Sequence, residues 1–181
     1  MIIGKELRLR AIERSDLPRF VHWLNDPEVI ENLIQRFPLS LAHEETWYEE
    51  NLKKPKAEQS MVIETWLADE WTPIGVMGLF DLYWLARTAE VGIFIGEKQL
   101  WNRGLGTKAM CLLLRYAFTS LNLNKIKLHV YETNPRAIQS YRKAGFVEEG
   151  RLRKEDFING RYVDVIYMGI LRDEWQDNHS V

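Results

Sequence analysis

Apolar residues recur along this chain in two periods. Met110, Leu113, Leu114, Ala117 and Phe118 fall at i, i+3, i+4, i+7 and i+8, which predicts one apolar helix face over residues 107–118. The stretch ahead of them, Glu90-Val91-Gly92-Ile93-Phe94-Ile95, is rich in β-branched and aromatic residues and predicts a buried strand. Between strand and helix lies a glycine-bearing turn, Trp101-Asn102-Arg103-Gly104-Leu105-Gly106. This strand, turn and helix organise the rest of the chain.

Towards the N-terminus, residues 6–10 alternate polar and apolar, as expected of an opening strand with one wet face. A helix follows, capped by Ser15 or Asp16 and stopped at Asn25-Asp26-Pro27, with Phe20, Val21, Trp23 and Leu24 as its buried side. A short helix over 27–33, a loop through Arg36 and Pro38, and a second helix over 42–52 come next. Strands are predicted over 60–66, 73–81 and 88–95, joined as antiparallel hairpins, the first by a turn at 68–71. After the central helix, residues 125–130 alternate strictly and complete a βαβ unit. Asn134 then caps a helix with Pro135 at its first position and Gly145 at its end, Ala137, Ile138 and Tyr141 facing inward. Strands over 146–157 and 161–171 close the chain around an Asn159-Gly160 hairpin turn, and residues 173–181 form a polar tail expected to fray.

The 181 residues carry a net charge of -2, which gives no basic field for nucleic acid. The single cysteine, Cys111, excludes a disulfide framework and a cysteine metal cluster, so no metal is expected and a reducing cytoplasmic compartment is the simplest setting. No apolar run approaches the length of a membrane span, clear repeats are absent and the only linker-like stretch is residues 53–59, so a single domain over 1–181 is expected.

The turn carries the first chemistry. A strand, a glycine turn and a helix start form a generic anion site, because the first helical turn has N–H groups without partners and the positive end of the macrodipole. Gly104 and Gly106 let the backbone approach a phosphate, and Arg103 offers a charge-assisted contact. The spacing fits neither a P-loop nor a dinucleotide fingerprint. On these residues alone, a simple turn is the commoner reading.

The order of elements adds what the turn lacks. The strand Glu90-Val91-Gly92-Ile93-Phe94-Ile95, the turn Trp101-Asn102-Arg103-Gly104-Leu105-Gly106 with Thr107, the strand Leu128-His129-Val130, the segment from Asn134-Pro135 through Tyr141-Arg142 to Gly145-Phe146, and the Asn159-Gly160 hairpin together resemble the GNAT superfamily of acyl-CoA-dependent N-acyltransferases. Within it the chain looks similar to the branch of ribosomal-protein N-terminal acetyltransferases and spermidine acetyltransferases. Trp101 departs from the Gln or Arg usual there, at little cost where backbone N–H groups do the binding. The resemblance implies an α+β (α/β) fold: a mixed, mostly antiparallel sheet of six or seven strands, about four flanking helices and a central strand splay. It implies acetyl-CoA as co-substrate, its pantetheine arm pairing with Ile93, Phe94 and Ile95 and its diphosphate resting on Trp101, Asn102, Arg103, Gly104, Leu105, Gly106 and Thr107. Asn134, Ala137, Tyr141 and Arg142 are the positions it implies on the following helix.

Asn134 and Tyr141 are two helical turns apart and project from one face. A phenol is suited to protonating a departing thiolate, so Tyr141 is the candidate general acid, against the alternative of a core tyrosine. Glu90 is the candidate base for the acceptor ammonium, with His129 as another and a solvated strand end as the plain alternative. Glu28 and Glu31 could attract a cationic acceptor or merely be wet. Trp66, Trp71, Phe80, Tyr83 and Trp84 are core, pocket or subunit-contact candidates, and a homodimer is one expectation. The acceptor expected first is a peptide N-terminus. A polyamine is weakened by an uncompensated Arg36 in the acceptor loop, which would repel a polycation. An amino sugar and a non-catalytic acyl-CoA sensor complete the alternatives.

Overall fold

The computed structural model describes residues 1–176, and the remainder of the expected tail, residues 177–181, lies outside the described residues. Among the described residues, eight strands form one sheet in the order β1-β2-β3-β4-β5-β6-β8-β7. They are β1 Ile2–Ile3, β2 Leu7–Ala11, β3 Met61–Leu67, β4 Glu70–Tyr83, β5 Thr88–Ile95, β6 Lys125–Tyr131, β7 Val147–Ile158 and β8 Arg161–Leu171. Five α-helices flank it: α1 Leu17–Leu24, α2 Pro27–Ile30, α3 Leu41–Lys53, α4 Leu105–Thr119 and α5 Pro135–Lys143. This is the mixed, mostly antiparallel architecture expected, with one parallel pair, β5 with β6. The strand beyond the expected six or seven is β1, two residues that pair Ile2 with Leu9, too short to show a period.

Side-chain alternation assigns the two faces of the sheet. Leu7, Leu9, Ile63, Met77, Leu79, Val91, Ile126 and Leu128 point to one face and enclose the core with α4, whose Met110, Leu113, Ala117 and Phe118 are all at most 1% exposed. Burying each of the larger ones contributes roughly 1.5–3 kcal/mol. On the other face Val62 and Val76 pack with Leu17, Phe20 and Trp23 of α1 and Tyr48 of α3. Gly96, just past β5, sits against the Trp23 indole, where an added Cβ would lie 2.1 Å from the ring, so α1 seats on the end of β5 only because no side chain is there.

Local chemistry moves several boundaries. The β3–β4 turn is the two-residue loop Ala68-Asp69, both at positive φ (48° and 64°), as a type I′ hairpin requires, so β4 begins at Glu70 rather than at 73. Pro73 is tolerated inside β4 because it falls at a register shift opposite Glu64. Helix α2 stops at Ile30, short of the expected 33. The tail does not fray over its described part: the N–H of Trp175 donates to the Leu171 carbonyl at 3.1 Å, and its ring lies 5.5 Å from Phe118 of α4.

Candidate active site

β5 and β6 pair only from Thr88–Lys125 to Glu90–Lys127 and then part. The gap opens a cavity of about 800 Å³, lined by β5, the end of β6, the turn before α4, and residues of α2, α3 and α5. The N–H of Gly96 donates to the Ile74 carbonyl of the β4 side. In an antiparallel ladder alternate residues face the same edge, so the peptide groups of Phe94 point to β4 and those of Ile93 and Ile95 to the gap. Ile93 and Ile95 thus offer main-chain groups there, and Phe94 contributes its ring, which meets Trp23 edge-on at 6.2 Å.

One end of the gap is a set of bare amides. Asn102 (φ 61°) and Gly104 (φ 75°) are left-handed, which folds residues 102–105 into a concave main chain and lets Gly104 cap α4 with no side chain in the way. The first bond of the α4 ladder runs from Lys108 N–H to the Gly104 carbonyl at 3.0 Å. Among the described residues, the N–H groups of residues 102–107 have no acceptor. Such a row of donors at a positive helix end suits a diphosphate. Helix α4 starts two residues earlier than expected, at Leu105, which brings Leu105 and Gly106 into this first turn.

Helix α5 forms the adjoining wall. Asn134 caps it by accepting the Ala137 N–H at 3.1 Å, which leaves its amide nitrogen free to donate. Asn134, Ala137 and Tyr141 all line the cavity. The Tyr141 ring packs on Phe146 at 6.1 Å, and burial pushes its phenol up to about 12, because a phenolate loses its solvation there. Its hydroxyl has no partner among the described residues and is not sealed off, so it is available to something in the gap.

The opposite face of the gap carries Glu90 and His129, joined by Glu90 Oε1 and His129 Nδ1 at 2.5 Å just where the strands part. The carboxylate side chain is 12% exposed, and both residues line the cavity. Alternation puts Glu90, Phe94, His129 and Tyr131 on the α1–α3 side, and Tyr141 with Ala137 packs into the α4 side. A phenol and a carboxylate therefore approach one gap from opposite faces of the sheet.

Residues 6–147 match the family described as Acetyltransferase (GNAT) domain. The chain is a GNAT acetyltransferase. It is 38% identical over 174 residues to the spermidine N(1)-acetyltransferase of Vibrio cholerae, covering 96% of this chain and 97% of that one. The spermidine N(1)-acetyltransferase of Escherichia coli K12 is 33% identical over 175 residues, 96% and 90% of the two chains. A crystal structure of spermidine N-acetyltransferase from Vibrio cholerae in complex with CoA and spermine superposes with a TM-score of 0.84 at 36% identity, over 93% and 97% of the two chains. This GNAT enzyme is an acetyl-CoA-dependent N-acetyltransferase, with acetyl-CoA as co-substrate.

Two expected cofactor positions lie away from the cleft of this acetyltransferase. Arg142 follows Tyr141 by about 100° of helix rotation, is exposed, and has its guanidinium 3.6 Å from Glu148. The Arg103 side chain is exposed and does not line the cavity, so only its main-chain N–H belongs to the row of donors. Trp101 is anchored instead of idle, its indole N–H donating to the Ile95 carbonyl at 2.8 Å. That bond takes one of the gap-facing acceptors of β5 and leaves the Ile95 N–H.

Three residues that sequence reasoning did not single out shape the cleft. Ser140 shares a 2.8 Å hydroxyl contact with Thr107 and so ties α5 to the first turn of α4. The Arg136 guanidinium lies 3.9 Å over the Trp101 ring with no carboxylate in ion-pair range among the described residues, and burial holds its pKa below the usual arginine range against a smaller pull from Glu31. Tyr131 donates to Asp156 at 2.6 Å, and burial first, then that bond, pushes its phenol up to about 12. Ser140 had a signal, three residues past Ala137 on the cleft-facing stripe. The other two depend on long-range partners that spacing does not reveal.

Proposed function

We propose that this enzyme acetylates an aliphatic polyamine of the spermidine class by direct attack within a ternary complex. The observation that carries the reading is the state of Arg36. Its guanidinium lies 2.8 Å from Asp156, donates to the Phe157 carbonyl at 2.5 Å and reaches the Tyr131 hydroxyl at 3.3 Å. It is compensated, so the repulsion that disfavoured a polycation in the sequence reading falls away. Glu90 lines the cleft beside His129, while Glu28, which also lines it, is offset by Lys98 at 2.7 Å and Asp156 by Arg36, so Glu90 is the carboxylate that draws an alkylammonium group there. The relatives named for spermidine point the same way.

In this reading the amides of residues 102–107 and Arg136, stacked on Trp101, hold the diphosphate end of acetyl-CoA, and Asn134, Ile93 and Ile95 align its pantetheine arm. Acetyl-CoA supplies the activated thioester. An aliphatic ammonium has a pKa near that of lysine, about 10.4, so it must lose a proton before it can attack. Glu90, coupled to His129, takes that proton directly or through water. Tyr141, protonated across the neutral range, faces the gap to donate to the leaving sulfur.

The test is thiol release at saturating acetyl-CoA over spermidine and spermine, peptides with free N-termini, and amino sugars. The polyamines should exceed every other class in kcat/KM by at least about tenfold. Faster turnover of a peptide N-terminus or an amino sugar reassigns the acceptor, and silence across the panel overturns the polyamine reading.

A further inference from the structure

Asp156 sits on β7 directly after a register shift in which residues 153–155 leave the ladder, with Lys154 at φ 53°. The bulge turns the Asp156 carboxylate towards β6. Its Oδ1 accepts the Phe157 N–H at 2.7 Å, while Oδ2 accepts the Tyr131 hydroxyl at 2.6 Å and Arg36 at 2.8 Å. Tyr131 is 6% exposed and lines the cavity, so Asp156 reaches the cleft across one phenol. Arg36 comes from the loop between α2 and α3, 120 residues away in sequence. Its neighbours Ile34 and Phe37 are 72% and 79% exposed, so little apolar burial holds that loop down.

Two features make this ion pair exchangeable. Each partner's side chain is about one-third exposed, where a guanidinium and a carboxylate are held weakly and compete with other cations. Tyr131 also lies two residues beyond His129 on the same face of β6, roughly 7 Å along the strand. That separation matches one short aliphatic spacer between two amine nitrogens, the first at Glu90 and His129 and the second at this phenol and carboxylate, if the acceptor lies along β6.

We infer that Asp156, presented through Tyr131, is the recognition carboxylate for the far ammonium of the acceptor, and that Arg36 is the internal cation which occupies it in the free enzyme. Acceptor binding exchanges one cation for another and releases the Arg36 loop from β7. The inference rests on the polyamine reading of the acceptor and specifies how that acceptor is told from a monoamine.

The experiment measures KM for spermidine and for n-butylamine with Asp156→Asn and Arg36→Gln beside the wild-type enzyme. In Asp156→Asn the ratio of spermidine KM to butylamine KM rises about fivefold. In Arg36→Gln, with the competitor gone, the same ratio falls below the wild-type value. Opposite directions are the signature, because a contact that merely held the loop would shift both variants alike. An unchanged ratio in Asp156→Asn, or a parallel change in the two variants, overturns the inference while leaving polyamine turnover intact. Absence of spermidine turnover by the wild-type enzyme defeats the acceptor reading and this one together.

Discussion

Tyr141→Phe lowers kcat about 100-fold or more, the usual scale for losing a positioned proton donor, and leaves KM for acetyl-CoA within about twofold. The ring that packs on Phe146 is kept, and only the hydroxyl facing the gap is removed. Steady-state thiol release at saturating spermidine checks the first part and a titration of CoA the second. The phenol also carries a pH expectation. Burial pushes it up to about 12, so it stays protonated as pH rises through the neutral and mildly alkaline range, and its ionisation causes no loss of kcat there. A Phe variant with wild-type kcat would make Tyr141 a packing residue and remove the acid from the mechanism.

Glu90→Gln is the second large effect. The amide keeps the shape of the side chain but cannot take a proton from the acceptor ammonium, so kcat/KM falls about 100-fold at neutral pH. The 2.5 Å contact with His129 makes the two residues one unit. His129→Gln therefore lowers kcat/KM as well, and the double variant is little worse than the more damaged single one, since groups acting together lose their effect only once. Additive losses in the double-mutant cycle would show two independent contributions and separate His129 from the proton path.

The parts of this enzyme that local sequence specifies were legible. The α4 stripe from Met110 to Phe118 is buried as its period implies, because a helix face of that width has only the sheet to cover it. Asn134 caps α5 and shares the cleft with Tyr141 because seven residues are two turns. The bare amides follow from two left-handed positions, Asn102 and Gly104, which an Asn and a Gly favour. What stayed hidden depends on partners distant in sequence. Arg36 reads as a free cation until β7 brings Asp156 beside it, and that pairing removes the charge that counted against a polyamine. Arg142 was placed in the cleft by likeness to a family pattern, whereas the rotation of α5 turns it out to Glu148. The two residues of β1 pair with β2 through main-chain bonds that any apolar start would permit.

The central claim is that the amides of residues 102–107 seat a diphosphate and so bring the thioester sulfur to Tyr141. A crystal structure of the complex with CoA measures it most directly. The expected result is diphosphate oxygens within about 3.2 Å of several of those amide nitrogens and the sulfur in hydrogen-bonding reach of the Tyr141 hydroxyl. A diphosphate bound elsewhere, or a sulfur out of reach of that hydroxyl with the arm in the gap, would contradict it.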